Sequence, residues 1–203
     1  MKYLSIDIES TGLERNSYLI EFAAVPFDAS TGKIENEQFS FHSYIQCPSF
    51  ESIRPILDPW VIEHNKDLII CANKEGIPLP NFKKYLQHYL ESEQIIKYFD
   101  NEKITLFGKS LNALDLPFLH RDLGYDFMNK YFSHKVMDLT SFAFGLIDLN
   151  ILSKGLDSSS ELMKYFNKGI VAHTATEDAI NTIDIYLRLI SKFKNQGSIT
   201  SLT

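Results

Sequence analysis

Cysteine, net positive charge and long apolar runs are all scarce in this sequence. Two cysteines, Cys47 and Cys71, occur among 203 residues. They are too few for a disulfide framework and fit no zinc site, so buried thiols are the simplest interpretation. The formal net charge of −6 argues against a broad basic surface of the kind that coats duplex nucleic acid. It leaves room for a local basic rim around an acidic metal site.

Membrane and export signals are missing as well. No apolar run approaches the roughly 20 residues that a membrane-spanning helix needs. The N-terminal residues lack the basic region, apolar segment and cleavage site of a signal peptide. We therefore expect a cytoplasmic protein that does not engage a membrane. The length fits one domain, which we place at residues 1–193, followed by a flexible polar tail at 194–203.

The hydrophobic pattern predicts strands first and then strands that alternate with helices. Apolar runs predict β-strands at 2–8, 18–27, 39–45, 104–107 and 136–139. Helical spacing predicts helices at 60–65, 81–99, 116–123 and 161–166, with a last helix after Thr174. The first three strands form a meander. This order indicates an α/β architecture, in which a mixed five-stranded sheet is flanked by helices.

Two acids stand at alternate positions at the end of the first predicted strand. Because alternate residues of a strand share one face, Asp7 and Glu9 would lie side by side. Two neighbouring buried carboxylates need a compensating partner, and a divalent cation is the simplest one. For this motif alone, a solvated strand face is the favoured explanation.

Further candidates follow predicted loops. Asp115 lies near a helix start, and the capping-box spacing of Thr174 and Glu177 places Asp178 in the first turn of the last helix. His173 would lie just outside that turn, so both side chains could point toward one spot. Taken singly, Asp178 could instead be an acid that stabilises the helix dipole, and His173 a surface histidine.

Together these segments resemble the motifs of the DEDDh family of 3′-to-5′ exonucleases, which includes oligoribonuclease, ribonuclease T and polymerase proofreading exonucleases. The matching residues, in chain order, are Asp7, Glu9, Thr11, Gly12 and Leu13, then 20–23, then Asp115 with 116–119, and finally His173 with Asp178. Ser110 and Leu114 stand where many members have asparagine and phenylalanine. The resemblance spans residues 2 to about 190 and implies a ribonuclease H-like fold.

The resemblance also implies roles for the site residues. Two Mg²⁺ or Mn²⁺ ions would be held by Asp7, Glu9, Asp115 and Asp178, with His173 as the general base. The 3′-terminal nucleotide would be held by Ser10, Thr11, Gly12 and Leu13, with contacts from Ser110, His64 and Asn65. For His64 and Asn65, helix surface and core packing are equally available explanations.

The function implied is metal-dependent removal of nucleoside 5′-monophosphates from single-stranded nucleic-acid 3′ ends, with DNA favoured as substrate. An RNA-directed enzyme of the oligoribonuclease or ribonuclease T type is the alternative within the class. A non-catalytic module that binds a nucleic-acid end is the alternative outside it. The sequence leaves open whether the chain acts alone, with a polymerase or as a homodimer.

Overall fold

One mixed sheet of six strands forms the centre of the computed structural model, which describes residues 1–166 and 174–196. The strands are β1 Lys2–Ser10, β2 Leu19–Asp28, β3 Lys33–Ile34, β4 Phe41–Tyr44, β5 Ile104–Gly108 and β6 Phe132–Asp138. The sheet order is β3-β2-β1-β5-β6, and β4 also pairs with β2. β1 runs antiparallel to β2 and parallel to β5, so the ends of β1 and β5 meet at one edge of the sheet.

The predicted α/β class and mixed sheet are confirmed, and the sheet has one strand more than the five expected. The additional strand, β3, follows a turn at Gly32, whose φ of 75° suits glycine. It pairs with the end of β2 at Phe27 and Asp28. A strand of two residues is too short to leave an alternating pattern in the sequence, which explains its absence from the prediction.

Helices cover both faces of the sheet. They are α1 Phe50–Ile53, α2 Pro59–His64, α3 Lys66–Glu75, α4 Leu79–Leu90, α5 Glu93–Tyr98, α6 Asp115–Leu123, α7 Tyr125–Tyr131, α8 Leu139–Asp148, α9 Ser159–Tyr165 and α10 Ala175–Gln196. The single helix predicted at 81–99 is therefore two helices. The break lies at Ser92, whose hydroxyl accepts a hydrogen bond from the backbone of Ile95 and caps α5.

Aromatic clusters pack against the sheet on both sides. Phe22 and Phe82 make an edge contact at 5.4 Å between ring centroids on one side. On the other side, the rings of Phe27 and Phe107 lie 4.9 Å apart, and Phe107 lies 5.0 Å from Tyr186 of α10. This two-sided burial explains why β2 is apolar almost throughout. It also fixes the position of β1, which lies between β2 and β5.

The last helix is attached directly to β1. The Ser5 hydroxyl, fully buried, donates a hydrogen bond of 3.0 Å to the carbonyl oxygen of Ala179. Thr174 and Glu177 form the predicted cap, in which the Glu177 amide donates to the Thr174 hydroxyl. α10 continues to Gln196, and residues 197–203 of the predicted tail lie outside the described residues. The division at residue 193 stays a prediction. No helix within the described residues is long and apolar enough to cross a membrane.

Candidate metal centre and nucleotide cleft

Three carboxylates converge where β1 ends and α10 begins. Asp7, Glu9 and Asp178 each offer one oxygen, and these oxygens all lie within 4.8 Å of one another. Asp7 and Glu9 share a face of β1, as their alternate positions predicted, and the bond between Ser5 and Ala179 brings the first turn of α10 onto that face. Hard oxygen ligands in incomplete number are the donor set that suits Mg²⁺ or Mn²⁺. The donor set therefore fits a divalent cation.

Burial raises the pKa of two of these carboxylates, Asp7 and Glu9. The pKa of Asp7 is raised well above its ordinary value, first by burial and then by the charges of Asp115, Glu9 and Asp178. Burial likewise raises the pKa of Glu9 to about 7, with smaller contributions from Asp178 and Glu21. A divalent cation would have to displace these protons, so its binding is linked to pH.

Asp115 lies in the same cavity but is not one of the three residues whose oxygens converge. It is the first residue of α6 and only 4% exposed. Burial raises its pKa to about 7, against the opposing effects of its own backbone amide, Lys109 and the Ile8 amide. Asp115 interacts electrostatically with Asp7, whose pKa it helps to raise.

The loop before Asp115 is fixed by a residue that the sequence did not single out. Asp138, at the end of β6, accepts a 2.7 Å hydrogen bond from the buried amide of Leu111. Its other oxygen accepts from the Ser141 amide and caps α8. Ser110 adopts a φ of 54° and shares a 3.1 Å hydrogen bond with Thr140. These contacts hold Ser110 and Asp115 in the cavity lining.

The segment after Glu9 forms a hydrogen-bonded edge of the cavity. The buried Thr11 hydroxyl accepts a hydrogen bond from the Tyr18 amide at 2.9 Å, and the Thr11 amide donates to the Tyr18 carbonyl at 3.0 Å. The Ser10 hydroxyl donates to the Gly12 carbonyl at 2.7 Å. Leu13, next in the chain, is 77% exposed. Residues 10–13 all line the cavity.

His64, the last residue of α2, and Asn65, which follows it, differ in their position relative to the cavity. Asn65 is buried, lines the cavity and donates to the Ser10 carbonyl at 3.4 Å. His64 does not belong to the cavity lining formed by the described residues. Its ring instead stacks on Trp60, with the centroids 4.4 Å apart. A direct contact of His64 with a nucleotide stays a prediction.

Trp60 and Lys109 are among the cavity residues that sequence reasoning missed. Trp60 is 54% exposed and lies in an apolar rim with Leu13 and Ile56. Lys109 lies directly after β5 and faces the acids. Periodicity places Trp60 on a helix but does not tell which face of that helix is exposed. Lys109 was missed because it reaches the acids only through the pairing of β5 with β1. His173 lies outside the described residues.

The cavity has a volume of about 1120 Å³, larger than a typical small-molecule pocket of about 300–1,000 Å³. It has an acidic floor at Asp7, Glu9, Asp115 and Asp178, and an apolar rim at Leu13, Ile56 and Trp60. The acids suit cations that bind a phosphate, and the exposed apolar side chains suit the flat faces of bases.

The fold is similar to that of solved exonucleases, one of which is described as a DEDDh family member. The nuclease domain of 3′hExo, described as a DEDDh family member bound to rAMP, superposes with a TM-score of 0.64 at 16% identity, covering 94% of this chain and 92% of that one. Cell-death related nuclease 4 gives a TM-score of 0.65 at 16% identity, over 94% and 64% of the two chains. Exonuclease I of E. coli, in complex with the oligonucleotide 5cy-dA13, gives 0.65 at 16% identity, over 94% and 40%.

The chain thus spans nearly all of the 3′hExo nuclease domain, but less than two thirds of the other two proteins. Comparison of the sequence with protein-family models and with curated proteins gives no match. At these identities the structural likeness establishes the fold alone.

Proposed function

We propose that this chain is a metal-dependent 3′-to-5′ exonuclease that hydrolyses phosphodiester bonds at single-stranded 3′ ends and releases nucleoside 5′-monophosphates. The observation that carries the proposal is the convergence of Asp7, Glu9 and Asp178 within 4.8 Å. This convergence occurs at the floor of a cavity, on a fold shared with DEDDh exonucleases. Neither the fold nor three acids alone would define the chemistry.

The carboxylates are assigned to Mg²⁺ or Mn²⁺. Asp7, Glu9 and Asp178 would hold one ion, and Asp115 with Asp7 would hold the second of the two that the motif resemblance implies. When bound, such ions neutralise the charge that develops on the attacking and leaving oxygens of a phosphodiester. The sheet holds Asp7 and Glu9 in place for this task, while the Ser5 to Ala179 bond holds the start of α10.

The nucleotide is assigned to the edge and rim of the cavity. Ser10, Thr11 and Gly12 would hold the terminal sugar and phosphate, and Leu13 would pack against the last bases. The hydrogen bonds between Thr11 and Tyr18 support this role, since they fix the backbone of the segment before a ligand arrives. Ser110 and Asn65 also line the cavity and offer polar contacts to the sugar or base.

His173 is assigned as the general base that removes a proton from the attacking water. An imidazole has a reference pKa of about 6.5, which suits proton removal near neutral pH. The assignment follows from the motif resemblance and from the position of His173 five residues before Asp178. A His173→Asn variant that retained full activity would remove this part of the proposal.

DNA is the favoured substrate, and RNA is the alternative. The structural neighbours are of both kinds, since 3′hExo is described with rAMP and exonuclease I with a dA13 oligonucleotide. Comparing rates on DNA and RNA strands of the same sequence separates the alternatives, because RNA selection depends on reading the 2′-hydroxyl. A cytoplasmic location, a polymerase partner and a homodimer stay predictions.

The proposal is tested with 5′-labelled and 3′-labelled single strands in Mg²⁺ or Mn²⁺. We expect the 5′ label to remain on a ladder of progressively shorter strands, and the 3′ label to appear at once as a mononucleotide. Asp178→Asn should abolish both the ladder of shorter strands and the released mononucleotide. Asp184→Asn on the same helix should abolish neither, because Asp184 pairs with Arg188. Strands that bind but are never shortened would support the non-catalytic module instead.

A further inference from the structure

The side chain of Arg121 holds the loop between β1 and β2 from the neighbouring helix. Its Nη1 atom donates one hydrogen bond of 2.7 Å to the carbonyl oxygen of Arg15 and another of 2.8 Å to that of Ser17. Residues 13–16 of this loop are exposed. The two bonds therefore tie the exposed part of the loop to α6, the helix on which Arg121 lies.

Two further contacts orient the guanidinium group of Arg121. Its Nε and Nη2 atoms each donate a hydrogen bond of 2.6 Å to one oxygen of the Asp122 carboxylate. Its central carbon lies 4.6 Å from the ring centroid of Phe118. The Nη1 atom then faces the two loop carbonyls. A lysine ammonium cannot reproduce this arrangement, because it is a point charge on a flexible stem and lacks the planar fork of arginine. The contact with the loop therefore depends on the shape of the arginine side chain as well as on its charge.

The loop that Arg121 holds forms part of the cavity. Leu13 and Ser17 line the cavity, and so does Phe118, on whose ring the guanidinium lies. The same helix begins at Asp115, one of the acids of the cavity floor. α6 therefore carries an acid of the floor in its first turn and, near its end, the side chain that holds the loop bearing Leu13.

We propose that Arg121 positions Leu13 to pack against the last bases of the strand, because it fixes the loop at Arg15 and Ser17 before the strand arrives. This inference rests on the proposed function, in which Leu13 meets those bases. Arg121 does not belong to the cavity lining formed by the described residues, so it acts through the loop and is a positioning residue. Without Arg121, the arriving strand would have to order the loop, and that ordering would lower its affinity.

The test measures KM and kcat on two single strands, one with an ordinary 3′ end and one whose 3′-terminal nucleotides lack bases. Arg121→Met should raise KM for the ordinary strand by about 2- to 12-fold, the effect of ordering one side chain on binding, and leave kcat unchanged. On the abasic strand Leu13 has no base to meet, so the same substitution should leave KM unchanged.

Arg121→Lys separates the shape of the side chain from its charge. Lysine keeps the positive charge but not the fork, so this variant should behave as Arg121→Met does on both strands. A charge that only attracted the phosphates would give the reverse pattern, with a penalty on both strands and rescue by lysine. In a Leu13→Ala background, Arg121→Met should cause no further change in KM, since coupled residues are not additive.

The matched control is Arg188→Met. Arg188 likewise pairs with an acid, Asp184 at 2.7 Å, and lies 6.0 Å from the ring centroid of Phe166, but it lies on α10 outside the cavity lining. This variant should have the KM and kcat of the wild type on both strands.

Three results would overturn the inference: an unchanged KM of folded Arg121→Met on the ordinary strand, an equal penalty on both strands, or full rescue by Arg121→Lys. If Arg121→Met does not fold, Arg121→Lys decides by the same comparison of strands. All of these results concern an active enzyme. A wild type that shortens neither strand would contradict the proposed function itself, and this inference with it.

Discussion

Glu9 lies directly opposite Glu21 in the antiparallel ladder of β1 and β2. Glu21 is fully buried, and one of its oxygens lies 2.7 Å from His42 Nε2. Its other oxygen, Oε2, has no hydrogen-bond partner among the described residues. Like charges directly opposite in a sheet repel each other. A second buried acid therefore lies next to the candidate metal ligand Glu9.

Glu21→Gln should strengthen metal binding at mildly acidic pH. Removing the Glu21 charge lowers the pKa of Glu9 from about 7, so fewer protons compete with the metal. We expect Mn²⁺ affinity at pH 6 to rise by up to about 10-fold, the equivalent of one pKa unit, and the difference to vanish at pH 8. Calorimetric titration at both pH values measures this, with the exposed Glu93→Gln as control. Unchanged affinity at pH 6 in a folded variant would contradict the expectation.

The metal-free protein should lose stability as the pH rises from about 5 to 8. Glu9 and Asp115 have a pKa of about 7 in the folded chain, against ordinary values of about 4 in the unfolded chain. Between these values the folded state binds more protons, so its stability falls as the pH rises. We expect the Tm to fall by several degrees, since each kcal/mol corresponds to about 2–4 °C at this size.

Thermal unfolding in a chelator, scanned across this pH range, gives that measurement. A variant that combines Glu9→Gln with Asp115→Asn should show a much flatter profile, because neither amide titrates. Saturating Mn²⁺ should also flatten or reverse the profile of the wild type, since metal binding replaces the protons. A wild-type Tm that rises with pH in the chelator would contradict the assigned pKa directions.

Trp60→Ala should weaken the binding of single strands without abolishing catalysis. Trp60 lines the cavity and is 54% exposed, and stacking of a base on an aromatic ring contributes about 1–3 kcal/mol. We expect kcat/KM to fall by about 5- to 100-fold, mainly through KM. Tyr85→Ala is the matched control, because Tyr85 is 55% exposed but lies outside the cavity lining. Equal effects of the two substitutions would exclude the stacking role.

Phe22→Ala should destabilise the sheet that supports the site. Phe22 is 1% exposed and packs edge-on against Phe41 and Phe82. Truncating a buried phenylalanine costs about 3–5 kcal/mol, which urea unfolding at equilibrium would measure. Phe22→Leu fills more of the space and should cost less. A loss below about 1 kcal/mol in Phe22→Ala would show that this cluster does not support β2.

Local sequence patterns were enough to place three of the acids. Alternation along β1 predicted that Asp7 and Glu9 share a face. The cap at Thr174 and Glu177 predicted that Asp178 lies in the first turn of a helix. The structure brings all three together. Such signals work because each depends on residues a few positions apart, whose geometry the backbone sets by itself.

The remaining features depend on contacts between distant segments. Lys109 meets Asp7 through the register of β5 on β1, and Asp138 reaches Leu111 from the next strand. The exposure of Trp60 depends on how α2 packs. The break at Ser92 interrupts an apolar pattern that predicts one helix. None of these follows from periodicity, which describes one element at a time.

Product analysis in ¹⁸O-labelled water tests the central claim most directly. With Mn²⁺ and a single strand bearing a free 3′-hydroxyl, the wild type should release nucleoside 5′-monophosphates from the 3′ end, each with one ¹⁸O in its phosphate. Asp7→Asn should lower the release by at least about 100-fold, because changes to mere neighbours of metal ligands already cost about 10- to 100-fold. Asp184→Asn should behave as the wild type. Absence of labelled monophosphate from the wild type, or equal release by Asp7→Asn, would contradict the account.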